Sequence, residues 1–307
     1  MQTSVKQSTN YIFIDASYFI FFRLHAFKNW WLLSHPEMNE NETKKETDVW
    51  FDPETNPEFA QRFEKLFVEK LREIPRKLGF TKKNKIPYHI FVGKDCRRND
   101  IWRMKHYPEY KGKRPSAEIE GKYFQIVYQK KLFEKAFETE ADTENNKCIL
   151  EYPSLEADDV IALSVKHLLK LNESETNNNY TCYIITSDMD YMQLCHPQVY
   201  IYDLRYKDLK SKNPAYYDAS QVNEMFLIKR ICGDKSDNIP AVFTKCGRVA
   251  AKKLATLSEE ERICELSKKG GDDALTQYNL NNLLMNFDCI PYDLSQGFIQ
   301  KYWGSGN

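Results

Sequence analysis

The sequence predicts an α/β fold with a mostly parallel central sheet flanked by helices. Two observations carry that prediction. Short apolar runs recur at 11–15 (YIFID), 88–92 (YHIFV), 180–186 (YTCYIIT) and 199–203 (VYIYD), with the length and the β-branched and aromatic content of buried strands. Between them lie stretches with helical spacing. In 155–171 the apolar positions include Ile161, Val165, Leu168 and Leu169, and 59–78 reads as a second helix broken at Pro75. Strands that alternate with helices give a parallel sheet, because each return to the same edge needs a crossover.

The strands share a further feature. The first ends on Asp15, the second is followed by Asp95, and the third by Asp188 and Asp190. Sites in open α/β sheets form beyond the carboxyl ends of the strands. Acids far apart in sequence are therefore expected at one edge. The segment LEADDV adds Glu156, Asp158 and Asp159 at the start of the 155–171 helix, and GDKSDN supplies Asp234 and Asp237. A helix N-terminus welcomes one capping acid, or two. Three together repel one another unless cations are bound. The whole set on this sheet pattern predicts a site for hard divalent cations such as Mg²⁺, which take carboxylate oxygens and need no histidine. The six histidines form no ligand-like pair, and the eight cysteines include no CxxC, so a zinc site is not expected.

The chain has 307 residues, 29% of them charged, and a net charge of zero. That neutrality conceals a polar division. Lys94 to Arg114 holds eight Lys/Arg against three Asp/Glu, whereas Glu37 to Glu58 holds eight Asp/Glu against two Lys. A polyanion responds to local potential, so the basic stretch RRNDIWRMKHYPEYKGKR at 97–114 reads as a substrate-handling segment, its cations for phosphates and its rings for bases. The acidic stretch 34–58 reads as inserted or loose, and the polar runs 138–148 and 172–179 read as exposed connections. No apolar run can span a bilayer, and MQTSVKQSTN lacks the apolar core of a secretion signal. An intracellular, soluble, monomeric protein with no membrane partner is expected.

Taken in order, FIDASY, FVGKD, RMKHYPEYKGKRP, LEADDV, TSDMD and GDKSDNIP resemble the flap endonuclease / 5′–3′ exonuclease family, in particular its bacteriophage-type members. The match covers about 11–256. The resemblance implies a PIN-like nuclease domain at 1–205, with a helical arch about 97–137. A helix–three-turn–helix DNA-binding region with a C-terminal packing segment follows at 206–307. It implies two metal sites. Asp15, Asp95, Glu156 and Asp158 match the acids of the first. Asp159, Asp188, Asp190 and Asp237 match those of the second, with Asp234 nearby. Mg²⁺ is the implied ion, two per site, with Mn²⁺ as a substitute. Lys111 and Arg114 match arch residues that meet the scissile phosphate. Tyr110 matches a position that stacks on a base, and Arg103 and Lys105 are further phosphate contacts. The helix at 116–137 continues the arch or packs behind it.

After GDKSDNIP, the loop and helix AVFTKCGRVAAKKLA resemble the family's duplex-binding hairpin. There, backbone N–H groups hold a phosphate, often with K⁺. The family's G-x-G is reduced here to Gly247, with Lys245 in place of the first glycine, a departure from the K⁺-binding pattern. Lys245, Arg248, Lys252 and Lys253 supply side-chain charge instead. The implied partner is DNA with single-strand/duplex junctions or 5′ ends, including RNA–DNA primer junctions in replication or repair. An RNA 5′–3′ exonuclease, a catalytically silent junction-binding protein and a small-molecule phosphatase remain as alternatives. The last two give no role to the full acid set and to 97–114, respectively.

Overall fold

The computed structural model describes residues 9–36, 49–81, 83–84, 86–114, 118–137, 149–174, 179–211 and 219–304. Five parallel strands lie in the order β3-β2-β1-β4-β5. They are β1 (Thr9–Asp15), β2 (Tyr88–Gly93), β3 (Ile149–Leu150), β4 (Tyr180–Ile185) and β5 (Val199–Tyr202). The central strand alternates its faces, as the pleat requires. Ile12 and Ile14 enter one core and Phe13 the other, all fully buried.

The first core lies under α1 (Ala16–Ser34), α2 (Pro57–Lys77), α3 (Glu118–Gln129) and α4 (Leu132–Phe137). The second lies under α5 (Ala157–Ser174), the 3-10 turn Met189–Leu194 and, across the terminal segment, α9 (Tyr292–Trp303). A third cluster joins α6 (Ala219–Cys232), α7 (Arg248–Ala255) and α8 (Glu259–Met285). α8 bends at Gly271, whose φ is +64°. Among the described residues no helix is long and apolar enough to cross a membrane.

Three expectations change. Pro75 does not break α2: it falls in the last turn, where helical donors are already near their end, and its carbonyl accepts from Leu78 and Phe80 N–H. The acidic stretch is not loose where it is described. Phe51 is buried against Phe59, and Asp52 pairs with Lys122 at 2.7 Å; residues 37–48 lie outside the described residues. The helix expected over 116–137 is two helices, turned at Lys131, whose φ is +51°. They pack against α1 and α2, with Tyr123, Val127 and Phe133 in the core. The polar run 138–148 also lies outside the described residues.

One glycine sets the site's depth. A Cβ on Gly93 would sit 2.7 Å from Ile161 Cδ1 and 2.9 Å from the Ala157 carbonyl oxygen. Its absence lets the N-terminus of α5 close onto the end of β2.

Candidate metal centre

The carboxyl edge of the sheet assembles the acids. Asp15 ends β1 and caps α1, accepting from the Tyr18 N–H at 3.0 Å and the Tyr191 hydroxyl at 3.3 Å. Asp95, just beyond β2, accepts from Ser17 Oγ at 2.5 Å and from the Ala157 N–H at 2.8 Å, which ties it to the start of α5. Asp188 caps the 3-10 turn after β4, accepting from the Asp190 N–H at 2.9 Å. The charges of Asp15, Asp158, Asp188 and Asp95 all bear on the buried Tyr191 hydroxyl and, with its burial, hold its pKa high. The charges of four acids from four segments thus reach one buried phenol, and Asp15 touches it.

Their electrostatics are unfavourable as they stand. Burial, aided by Asp95, pushes the Asp15 carboxyl up to about 7. Burial and the neighbouring Asp159 raise Asp158 well above the ordinary carboxylate range, against the pull of Arg103. Asp190 is pushed up to about 6 by burial, although Lys229 opposes the shift. Glu156 differs: burial opposes its ionisation, but Lys111 and Arg103 outweigh that and hold its pKa down.

Glu156, Asp158 and Asp159 bring one oxygen each within 4.8 Å of one another. Their partners separate them. Asp159 is fully buried, and both of its oxygens are engaged. Arg103 donates to Oδ1 at 2.7 Å and to Oδ2 at 2.8 Å; Trp102 Nε1 reaches Oδ2 at 3.0 Å and the Glu156 N–H does so at 3.1 Å. Arg103 also donates to Glu156 Oε2 at 2.8 Å, and Lys111 pairs with Glu156 Oε1. Asp237 accepts from Arg114 at 2.6 Å and from the Tyr110 hydroxyl at 3.2 Å. Lys229 bridges Asp190 and Asp234, the latter at 2.8 Å. Burial opposes the Asp234 charge, yet Lys229 brings its pKa down to about 2.

The donor set of the edge is all oxygen, and Asp15 and Asp158 stay poorly neutralised by the protein's own cations. Both features fit a hard divalent ion. Asp158 lies with Glu156 and Asp159, and both oxygens of Asp159 are held by Arg103.

Two expected nucleic-acid contacts are corrected. Arg103 is 1% exposed and spent on Asp159, Glu156 and the Leu284 carbonyl, so it offers nothing to a phosphate. Tyr110 is 2% exposed with its hydroxyl on Asp237, so no ring face is open to a base. Lys105, Lys245, Arg248, Lys252 and Lys253 are exposed. Gly247 caps α7 with no side-chain partner for its first amides. Lys245 holds a φ of +63°, so the hairpin keeps a left-handed turn although the glycine that favours it is missing.

Sequence reading missed Lys229, the buried Trp102–Asp159 bond, Gln193 and Asn281. Lys229 left one signal, a lysine inside the apolar run FLIKRIC, where burial demands an acid.

A model of the 5′-3′ exonuclease N-terminal resolvase-like domain matches residues 64–227, more than half of the chain. The chain belongs to the 5′-3′ exonuclease family. It is therefore a nuclease, and the acid edge is the candidate active site of this exonuclease. Its fold is similar to that of the T5 D15 protein crystallised with metal ions, with a TM-score of 0.55 at 15% identity, covering 95% of this chain and 97% of that one. A bacteriophage T5 D15 flap endonuclease in a pseudo-enzyme-product complex with DNA and metal ions gives 0.56 at the same identity and coverage. The T5 5′-exonuclease with bound zinc gives 0.57, again at 15% identity over 95% and 97%.

Proposed function

We propose that this exonuclease is a structure-specific 5′ nuclease that hydrolyses DNA phosphodiesters at or near 5′ ends and flaps, using two divalent ions, Mg²⁺ foremost and Mn²⁺ in its place. The observation that carries the reading is the set of acids at the ends of β1, β2 and β4 and at the start of α5, with Asp15 and Asp158 pushed up by burial, beside two cations that rest on neighbouring acids. The DNA and metal ions in the similar T5 structure support it.

Asp15, Asp95, Glu156 and Asp158 would hold one ion, and Asp188, Asp190, Asp234 and Asp237 the other. Asp159 anchors Arg103 instead. A pair of such ions, when bound, activates a water and neutralises the leaving oxygen of a phosphodiester. The chain's own groups do the rest. Lys111 and Arg114 stand on Glu156 and Asp237, at the mouth of the acid set, and stabilise charge that develops on the phosphate. The backbone of Lys111 is left-handed at φ +57°, and its N–H donates to the Asp237 carbonyl at 2.8 Å, which fixes the side chain's origin. Lys105 remains an exposed phosphate contact at the arch base. Duplex is held at the α7 N-terminus, where free amides and the helix dipole favour a phosphate and Lys245, Arg248, Lys252 and Lys253 add charge. The K⁺ ion implied at the hairpin belongs to the same reading, as do action on RNA–DNA primer junctions, a role in replication or repair, and a monomeric state.

Time courses on 5′-labelled flap, nicked and blunt DNA, with and without Mg²⁺, test it. Cleavage of the flap near its junction only with Mg²⁺ supports the reading. Metal-independent cleavage, or cutting of matched RNA 5′ ends alone, overturns it.

A further inference from the structure

The stretch 281–287, at the end of α8 and just beyond, carries no sequence motif, yet it holds three segments that carry or anchor acids of the edge. Asn281 is fully buried and donates both amide hydrogens to backbone: to the Arg230 carbonyl at 2.8 Å and to the Pro240 carbonyl at 2.9 Å. Those two carbonyls bracket the loop that carries Asp234 and Asp237. The Leu284 carbonyl accepts from Arg103 Nε at 2.7 Å, and Arg103 in turn holds Glu156 and Asp159. Gln193 closes the third contact. Its Nε2 donates to the Met285 carbonyl at 3.1 Å, and its Oε1 accepts from the Phe287 N–H at 3.3 Å. Gln193 lies in the 3-10 turn that Asp188 caps and that carries Asp190. Leu284 and Met285 pack with Ile101, Tyr110 and Ile239, so the same helix end is also wedged between the arch base and the acid loop.

We infer that residues 281–287 position the active site, with Asn281 and Gln193 as positioning residues that set the acid loop and the 188–190 turn against the Glu156 segment. Asn281 is fully buried, and both polar atoms of the Gln193 amide are engaged by backbone. They act by fixing three backbones to one helix end, so that carboxylates from separate segments share one frame. A rigid frame matters because a misplacement of about 1 Å at a reacting centre costs on the order of a hundredfold in rate. The Arg103–Leu284 hydrogen bond is buried and those of Asn281 and Gln193 are partly buried, so their loss leaves backbone groups poorly satisfied and lets the loop or the turn shift.

This inference rests on the proposed nuclease reading, and its test separates the two. Gln193→Met keeps the volume and removes both contacts; Asn281→Ala removes the loop bracket. Phe298→Leu, in the core under α9 and away from the acids, serves as a control matched in thermal stability. Full-length proteins are compared by cleavage of a 5′-flap DNA over a range of Mg²⁺ and by calorimetric titration with Mg²⁺ alone. The expected result for Gln193→Met is kcat down about tenfold or more with KM within about twofold, together with a several-fold loss of Mg²⁺ affinity that Phe298→Leu does not show. Should Asn281→Ala fail to fold, Gln193→Met decides the matter alone. Unchanged kcat and unchanged Mg²⁺ affinity in Gln193→Met overturn the positioning role. A wild-type protein that cuts none of the DNA substrates overturns the nuclease reading instead, and the calorimetric comparison still reads the positioning.

Discussion

Substituting Asp159 with Asn separates a structural acid from a metal ligand. In the structure Asp159 is fully buried and receives two hydrogen bonds from Arg103, one from Trp102 and one from the Glu156 N–H. Asn removes the charge that balances a guanidinium which is itself 1% exposed. Glu156 is left as its remaining contact ion pair, already shared with Lys111, with the Asp158 charge acting from nearby. Breaking one side of a buried pair costs about 3–5 kcal/mol. Relief of the Asp159 charge on Asp158 offsets part of this. A net loss of at least about 2 kcal/mol is therefore expected from Asp159→Asn. The assay is guanidinium unfolding in EDTA, so that no divalent ion contributes. An acid that served only as a ligand would behave in the opposite way: neutralising it in the metal-free protein would leave stability unchanged or raise it. A loss below about 1 kcal/mol would refute the structural role of Asp159 as the anchor of Arg103.

Three further outcomes follow from the geometry. The Asp15 carboxyl, raised from 3.8 to about 7, makes the folded state bind more protons than the unfolded chain between those values. Metal-free stability should then fall as pH rises from about 4 to about 7, by at most about 4 kcal/mol from this group, and Asp15→Asn should flatten that slope in EDTA denaturation series. Lys245→Gly relieves the left-handed strain at φ +63° and should add about 1 kcal/mol in urea unfolding, while the loss of its charge weakens duplex binding in a gel-shift assay. Lys111→Ala should lower kcat on flap DNA by about a hundredfold or more with binding little changed, since its charge serves the transition state; a pure KM effect would contradict that role.

The acid edge was legible from sequence because it follows from two periodic facts. Buried strands end abruptly, and Asp15, Asp95 and Asp188 stand at or just past those ends. The parallel order then brings them together whatever their spacing along the chain. β3 was not legible: Ile149–Leu150 has two residues, too few for any period. Pro75 misled because a proline signals a break only where a helix would otherwise continue, and α2 was about to end. Arg103 and Tyr110 misled for a different reason. Arg and Tyr in a basic stretch suit a nucleic acid and suit a buried acid equally well, and only the fold tells which one they meet. Asn281 and Gln193 left no trace because their partners are mostly backbone carbonyls, whose position no side-chain pattern reports.

The most direct test of the central claim pairs two measurements on Asp158→Asn and Asp188→Asn. Mg²⁺ binding is followed by calorimetry, and single-turnover cleavage is followed on a 5′-labelled flap whose affinity is measured separately in Ca²⁺. If the acid edge holds the ions that cleavage requires, both variants lose Mg²⁺ binding and cleavage falls by about a thousandfold or more, while affinity for the flap stays within a few-fold of wild type. Cleavage at the wild-type rate by either variant in Mg²⁺ would contradict the assignment of the acid edge as the metal centre.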